Sequence, residues 1–167
     1  DLDYPARVVG GGGKFQYDRE VPDQCNIITY YKDGPSVVMM NSLSNYTGIE
    51  TKIRGTNGII ILTDAGIRIV PIDPASNKEK EEIHLEWNGM GDTAKLWRNL
   101  LDCVKTREQP FRHVEAAHRT ATVAHLANIA YWLNRPLRWD PEKEEIIGDP
   151  EASRWMDRPA RDMWQHI

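Results

Sequence analysis

Three polar side chains lie close together near the start of a predicted helix, and their types could serve ligand binding. Glu115, His118 and Arg119 fall in the first turns of an apolar, alanine-rich stretch at residues 114–133. Residues three or four positions apart share one face of a helix, so the three side chains can meet one ligand. An imidazole can pair with a substrate hydroxyl, and a guanidinium can pair with a carboxylate. We therefore predict that this trio binds substrate.

Two other pairs of polar residues are weaker candidates for a metal-binding or catalytic site. His118 and His125 lie seven residues apart, which is two helical turns, whereas paired histidine ligands on a helix are spaced by one turn. A packing role for either histidine therefore stays open. Asp162 and His166 are four residues apart near the C-terminus, and we interpret that spacing as chance. The sequence predicts no catalytic residues and no metal ligands.

Two glycine-rich stretches match nucleotide-binding loops only in part. Residues 10–13 are four glycines before Lys14, but Phe15 stands where a phosphate-binding loop needs Ser or Thr. We predict a flexible turn or a strand bulge there. Residues 89–94 fit the dinucleotide fingerprint, but a charged segment precedes them and no second strand follows the helix. We predict a plain helix entry, and no cofactor bound by this chain.

The composition is that of an ordinary globular protein. The chain has 167 residues, 40% of them hydrophobic, with a formal charge of −4 and a pI near 5.7. This acidity argues against nucleic-acid binding, and the apolar runs are shorter than the roughly 18 residues that cross a bilayer. Cys25 and Cys103 lack disulfide or metal spacing, so we expect buried thiols. Because the first residue is Asp1, we expect a processed chain or a piece of a longer one.

The first half of the sequence predicts antiparallel strands. Runs of β-branched and aromatic residues, separated by turn signals, predict strands at residues 6–9, 25–31, 36–43, 49–54, 59–62 and 67–72. This spacing predicts one meander of five or six strands. Apolar side chains point to both faces, as in the neighbours Ile27 and Ile28 or Val37 and Val38. We therefore expect helices of this chain to cover one face, and another domain or subunit to cover the other.

The second half predicts helices. Apolar residues recur at helical spacing over residues 93–106, and Asp92 can cap that helix. The alanine-rich helix 114–133 can approach a sheet closely, and Pro136 ends it. Pro150 marks the start of a further short helix. The tail is rich in tryptophan, so we expect it to wrap the sheet or an adjoining domain.

Several segments together resemble the C-terminal domain of the glucose-fructose oxidoreductase, inositol dehydrogenase and rhizopine-catabolism (Gfo/Idh/MocA) family, in its bacterial branch with an extended C-terminus. The segments are residues 2–8, 55–58, 99–107, 117–131, 135–141 and 148–152. The strongest match begins at Ala117-His118-Arg119. The resemblance covers nearly the whole chain, and the order and spacing of the segments carry it.

The resemblance implies an α+β fold, with an open, mostly antiparallel β-sheet that has helices on one face. It implies that residues 1–167 form a single C-terminal substrate-binding and oligomerisation domain, and that the N-terminal Rossmann domain with its catalytic Lys is absent from this chain. The family's Asp-x-x-x-His pair lies upstream of this domain, so that role is not assigned to Asp162 and His166. The family's other sheet face commonly packs on a partner subunit, which implies a homodimer or a higher oligomer.

We therefore expect the substrate-binding and dimerisation domain of an NAD(P)-dependent oxidoreductase that acts on a sugar, cyclitol or related polyol and is inactive alone. Its partners would be a second copy, the Rossmann domain and the polyol substrate, with no nucleic acid and no membrane. A cytoplasmic location is expected unless an upstream export signal exists. Two alternatives stay open: a standalone, non-enzymatic dimeric β-sheet module that binds carbohydrate or a protein, and a small cofactor-binding enzyme that uses residues 89–94.

Overall fold

The chain folds into two compact units, each with its own antiparallel sheet. The structure is a computed structural model that describes residues 4–45, 47–63, 65–86 and 93–157. The first unit combines Asp1–Tyr46 with Arg112–Ile167, and the second unit is Thr47–Phe111. The strands are β1 (Pro5–Gly13), β2 (Gln24–Tyr31), β3 (Ser36–Ser42), β4 (Thr51–Gly55), β5 (Gly58–Thr63), β6 (Gly66–Asp73), β7 (Lys78–Glu79), β8 (Ile83–Glu86), β9 (Leu137–Asp140) and β10 (Glu145–Ile146). The helices are α1 (Thr93–Thr106), α2 (Val114–Leu133) and α3 (Pro150–Ser153).

The first unit is built on a sheet in the order β10-β9-β1-β2-β3, in which every pairing is antiparallel. Helix α2 covers one face of β1. The core between them consists of side chains that water barely reaches: Val8, Leu126, Ala127, Ile129, Ala130, Leu137, Trp139, Ile146 and Ala152. This core confirms that the alanine-rich helix packs on the sheet.

Gly10, the first residue of the glycine run in β1, permits this close packing. A Cβ atom on Gly10 would lie 2.8 Å from the backbone nitrogen of Tyr131 and 3.0 Å from the carbonyl oxygen of Ala127. Residues 10–13 pair in regular register with residues 24–27 of β2. The expectation of a turn or bulge at these glycines was therefore wrong, because the run continues β1, and Gly10 within it makes room for α2.

The second unit is a smaller sheet in which β4, β5 and β6 form a meander and β7 and β8 both pair with β6. The predicted hairpin is confirmed, since Gly55 pairs with Gly58 across a two-residue turn. The fold class is confirmed as well. The strands do not form one meander, however. Strands β1 to β3 belong to one sheet, and strands β4 to β6 belong to the other.

The helix boundaries follow the predicted ones. Helices α1 and α2 begin and end at the expected residues. Asp92, predicted to cap α1, lies outside the described residues. The ring nitrogen Nδ1 of His113 accepts from the backbone N–H of Ala116 at 3.4 Å and caps α2. Asn134, with a left-handed φ of 51°, ends α2 just before Pro136.

The first sheet is apolar on both faces, as the alternation predicted. Strand register places Ile27 and Met39 on the side of Val8, which faces α2. Ile28, Val38 and Met40 share the opposite face, which we call the open face. Val38 is 59% exposed and Met40 is 56% exposed in this chain. Two large apolar side chains of the open face are thus in contact with water.

Candidate substrate-binding site

The first turns of α2 lie beside the start of β1 and the turn between β9 and β10. This arrangement gathers five side chains, which we call the α2 N-terminal cluster: Tyr4, Glu115, His118, Arg119 and Glu144. The Arg119 Nε donates to Oε1 of Glu115 over 2.9 Å, and the guanidinium lies 5.5 Å from the centre of the Tyr4 ring. The His118 Nε2 donates to Oε1 of Glu144 over 2.8 Å. The structure thus brings the three predicted residues together and adds two more.

Local structure explains each placement. Glu115 and Arg119 are four residues apart, so they meet on one helix face, and a carboxylate in the first turn also suits the positive end of the helix dipole. The turn after β9 is held by Oδ1 of Asp140, which accepts from the backbone N–H groups of residues 142 and 143. Glu144 follows with a left-handed φ of 53°, an unusual conformation for a residue with a side chain. This strained backbone turns the Glu144 carboxylate toward His118.

The electrostatics of the cluster follow from these contacts. The hydrogen bond from Arg119 holds the pKa of Glu115 below its ordinary value. Partial burial raises the pKa of the Tyr4 phenol, and the nearby carboxylates of Glu115 and Glu144 raise it further. At neutral pH the cluster therefore contains an ionised Glu115 carboxylate, the Arg119 guanidinium and a neutral Tyr4 phenol.

The cluster is open to solvent and can bind a polar molecule. The His118 side chain is 47% exposed. Because Nε2 of this ring donates to Glu144, a neutral His118 ring has Nδ1 as an acceptor for a hydroxyl group. Glu144 therefore fixes both the orientation and the tautomer of the imidazole. The arrangement suits recognition of hydroxyl groups.

Sequence reasoning missed Tyr4 and Glu144 as members of this cluster. Glu144 is 26 positions from His118, and only the β9–β10 turn brings it near α2. Tyr4 lies directly before β1. Because β1 and α2 run in the same direction, Tyr4 lies beside the first turns of α2. No local sequence signal marks either residue, because both contacts depend on tertiary packing.

His125 lies elsewhere on α2 and does not join the cluster. It lines a concave surface near the C-terminal end of the helix, together with Asn128 and Trp132. The two histidines therefore do not share a site. Within the described residues, no group of three His, Cys, Asp or Glu side chains is arranged to hold a metal ion.

The dinucleotide-like motif lacks a suitable setting. Residues 89–92 lie outside the described residues, as do Asp162 and His166. The strand before the motif, β8, pairs antiparallel with β6. A dinucleotide site needs a parallel strand that leads into the helix, so the described surroundings do not fit NAD(P).

The two cysteines differ in their surroundings. Cys103 is buried, as expected, and its Sγ accepts from Nδ2 of Asn99 at 3.6 Å. Cys25 is only half-buried, and burial raises the pKa of its thiol. In the described parts of the chain, no helix is long and apolar enough to cross a membrane.

Sequence comparison decides the family of this chain. The sequence model of the Gfo/Idh/MocA oxidoreductase family, C-terminal alpha/beta domain, matches residues 14–166. The chain belongs to this family. No curated protein sequence matches the chain.

Solved oxidoreductases share the fold of this Gfo/Idh/MocA domain. One from Bacillus subtilis (yvaA) has a TM-score of 0.68 at 11% identity and aligns with 83% of this chain and 48% of its own. One from Agrobacterium radiobacter, in complex with NAD+, L-tartaric acid and magnesium, has a TM-score of 0.61 at 13% identity. It aligns with 82% of this chain and 44% of its own. The WlbA dehydrogenase from Bordetella pertussis, in complex with NADH and UDP-GlcNAcA, has a TM-score of 0.53 at 13% identity. It aligns with 82% of this chain and 39% of its own. The aligned part of this chain therefore covers less than half the length of each of these oxidoreductases.

Proposed function

We propose that this chain is the substrate-binding and dimerisation domain of an NAD(P)-dependent oxidoreductase that acts on a sugar, cyclitol or related polyol. The observation that carries the proposal is the family match over residues 14–166. The similar solved oxidoreductases are longer than this chain, whose aligned part covers 39–48% of their lengths, and two of them are complexes with NAD+ or NADH. The proposed parent protein has an upstream Rossmann domain that binds the dinucleotide.

In this proposal the α2 N-terminal cluster forms one wall of the substrate pocket. Nδ1 of His118 accepts a hydrogen bond from a substrate hydroxyl, and Glu144 holds the ring in position. Arg119 interacts with a carboxylate or hydroxyl of the substrate while Glu115 anchors its Nε. A nicotinamide held by the upstream domain would supply hydride transfer to or from the carbon that bears the reacting hydroxyl.

The open face of the first sheet is the proposed dimer interface. Its centre is apolar, and at one end Arg7 lies directly opposite Arg138 on the neighbouring strand. The Arg7 guanidinium lies 5.2 Å from the centre of the Tyr30 ring. Neighbouring like charges destabilise a sheet by themselves, so an acidic group of a partner would relieve the repulsion. An apolar centre beside unbalanced charge is suited to a second protein surface.

The substrate role is tested in the full-length parent with the variant His118→Ala. Turnover of a panel of sugars and cyclitols is followed by nicotinamide absorbance. The loss of one hydrogen bond to the substrate is expected to lower kcat/KM by about tenfold, with an unchanged melting temperature. The matched control is His84→Ala, an exposed histidine of the second unit, which should leave kcat/KM unchanged. An unaltered kcat/KM in His118→Ala would remove this residue from the pocket.

A further inference from the structure

Two tryptophans form a wall between two hollows at the C-terminal end of α2. The rings of Trp132 and Trp155 lie 5.0 Å apart between centres and are perpendicular. Trp132 is 54% exposed and Trp155 is 46% exposed. One hollow of about 510 Å³ also contacts Gly11 and Lys14, and the other, of about 950 Å³, contacts His125. Both volumes lie in the range of small-molecule sites, roughly 300–1,000 Å³.

Polar side chains surround this aromatic wall. Lys14 and Glu20 come from the loop after β1, His125 and Asn128 from α2, and Arg154 from the end of α3. These five side chains make no hydrogen bond or ion pair with any other described side chain or backbone group. They are therefore available, as donors and acceptors, to a ligand.

The charges around the hollows favour a neutral ligand. Lys14 and Arg154 are cationic, while Glu20 and Asp157 are anionic, so the described residues of the lining carry two charges of each sign. A strongly anionic ligand such as a nucleotide would meet as much repulsion as attraction. A neutral molecule with many hydroxyl groups can use donors and acceptors of both kinds.

We propose that this paired-tryptophan surface binds a neutral oligosaccharide of at least two sugar units. The apolar face of a sugar ring packs on an indole, and its hydroxyl groups hydrogen-bond to the surrounding amide, imidazole and charged groups. Two hollows that share one aromatic wall suit two neighbouring rings of a chain better than one isolated ring.

The surface is distinct from the α2 N-terminal cluster. Trp132 is 14 residues after His118 on the same helix. At 1.5 Å per residue, the two positions are separated by about 21 Å along the helix axis. The oligosaccharide site therefore does not depend on the proposed substrate pocket, and each can fail independently.

The elements that carry the wall are held firmly in place. Arg135, just after α2, binds Asp149 through two hydrogen bonds of 2.8 Å, and Asp149 caps α3 by accepting from the N–H of Ala152. The backbone N–H of Trp155 donates to the carbonyl of Ala152 over 3.0 Å. The backbone of Trp155 is therefore tied to α3, and α3 is tied to the end of α2, which lowers the entropic cost of ordering this surface on ligand binding.

Calorimetric titration of the chain with maltotetraose, cellotetraose, xylotetraose and chitotetraose tests the proposal. We expect saturable binding of at least one tetrasaccharide, with weaker binding of its monosaccharide. Trp132→Ala and Trp155→Ala should each weaken that binding by about tenfold or more, because each removes a stacking surface. The matched control is Trp97→Ala, an exposed tryptophan of the second unit, which should bind as the unaltered chain does.

Arg154→Ala keeps the test decisive if a tryptophan variant fails to fold. It removes only an exposed polar group and should also weaken binding while the melting temperature is unchanged. Three results would overturn the proposal: no saturable binding of any tetrasaccharide, equal binding of the monosaccharide, or binding that none of the three variants alters. His118→Ala should leave this binding intact, which separates the two sites.

Discussion

At the scale of single residues, Asp23 organises the loop between β1 and β2. Its Oδ2 accepts from the backbone N–H groups of Phe15, Gln16 and Tyr17 at 2.8, 2.6 and 3.0 Å. The residue is only 3% exposed. These hydrogen bonds, that from Gln16 above all, hold the pKa of Asp23 below its ordinary value. The loop that carries Lys14 and Glu20 thus depends on one carboxylate.

The lowered pKa of Asp23 predicts a pH-dependent contribution to stability. The unfolded chain binds this proton more readily than the folded one, so the contribution is complete above the ordinary carboxyl pKa of about 3.9 and is lost as pH falls through the lower folded value. Asp23→Asn should lower the melting temperature at neutral pH, and the difference from the unaltered chain should shrink in acid. Thermal melts from neutral to strongly acidic pH measure this.

Asp18→Asn is the matched control for Asp23→Asn. It makes the same charge change in the same loop, and no hydrogen bond or ion pair links the Asp18 side chain to the described residues. The melting temperature of Asp18→Asn should equal that of the unaltered chain at every pH. Equal melting curves for Asp23→Asn and Asp18→Asn would show that the buried carboxylate does not stabilise the loop.

The candidate site was predictable only in part at this scale. Helical spacing placed Glu115, His118 and Arg119 on one part of α2, and the structure brings them together. The partners Tyr4 and Glu144 were beyond sequence reasoning, because their contacts arise from the packing of β1 and a turn against the helix. Local periodicity predicts a helix face but not what that face meets.

At the scale of elements, the contact between β1 and α2 holds the first unit together. Gly10→Ala should destabilise the chain by about 1–3 kcal/mol, because the new Cβ would clash with backbone atoms of α2 that cannot move aside. Gly11→Ala, the neighbouring control, should change stability by no more than about 0.5 kcal/mol, because its Cβ would meet nothing within 4 Å. Denaturant unfolding compares the two, and equal stabilities would contradict the close contact.

Elements were more predictable than their arrangement. The boundaries of α1 and α2 followed from apolar periodicity and helix-ending residues, and the hairpin at residues 55–58 followed from its turn residues. The division of the strands into two sheets did not follow. Pairing between distant strands depends on which edges meet in three dimensions, and local sequence patterns do not encode that choice.

At the scale of the whole molecule, the open face predicts self-association. Val38→Asp should raise the dissociation constant of a dimer by about a hundredfold or more, because it would bury an unpaired carboxylate in the interface. The control Met39→Asp lies on the same strand, points to the opposite face, and should remain dimeric. Sedimentation at micromolar concentration measures both. A monomeric unaltered chain would contradict the proposed interface.

The most direct test of the central claim is a titration of NADH, followed by nicotinamide fluorescence, against the 167-residue chain and against the full-length parent. We predict saturable binding by the parent and none by the chain, because the dinucleotide site belongs to the proposed upstream domain. Saturable binding of NADH by the chain alone would contradict the proposal and would favour a cofactor site at residues 89–94.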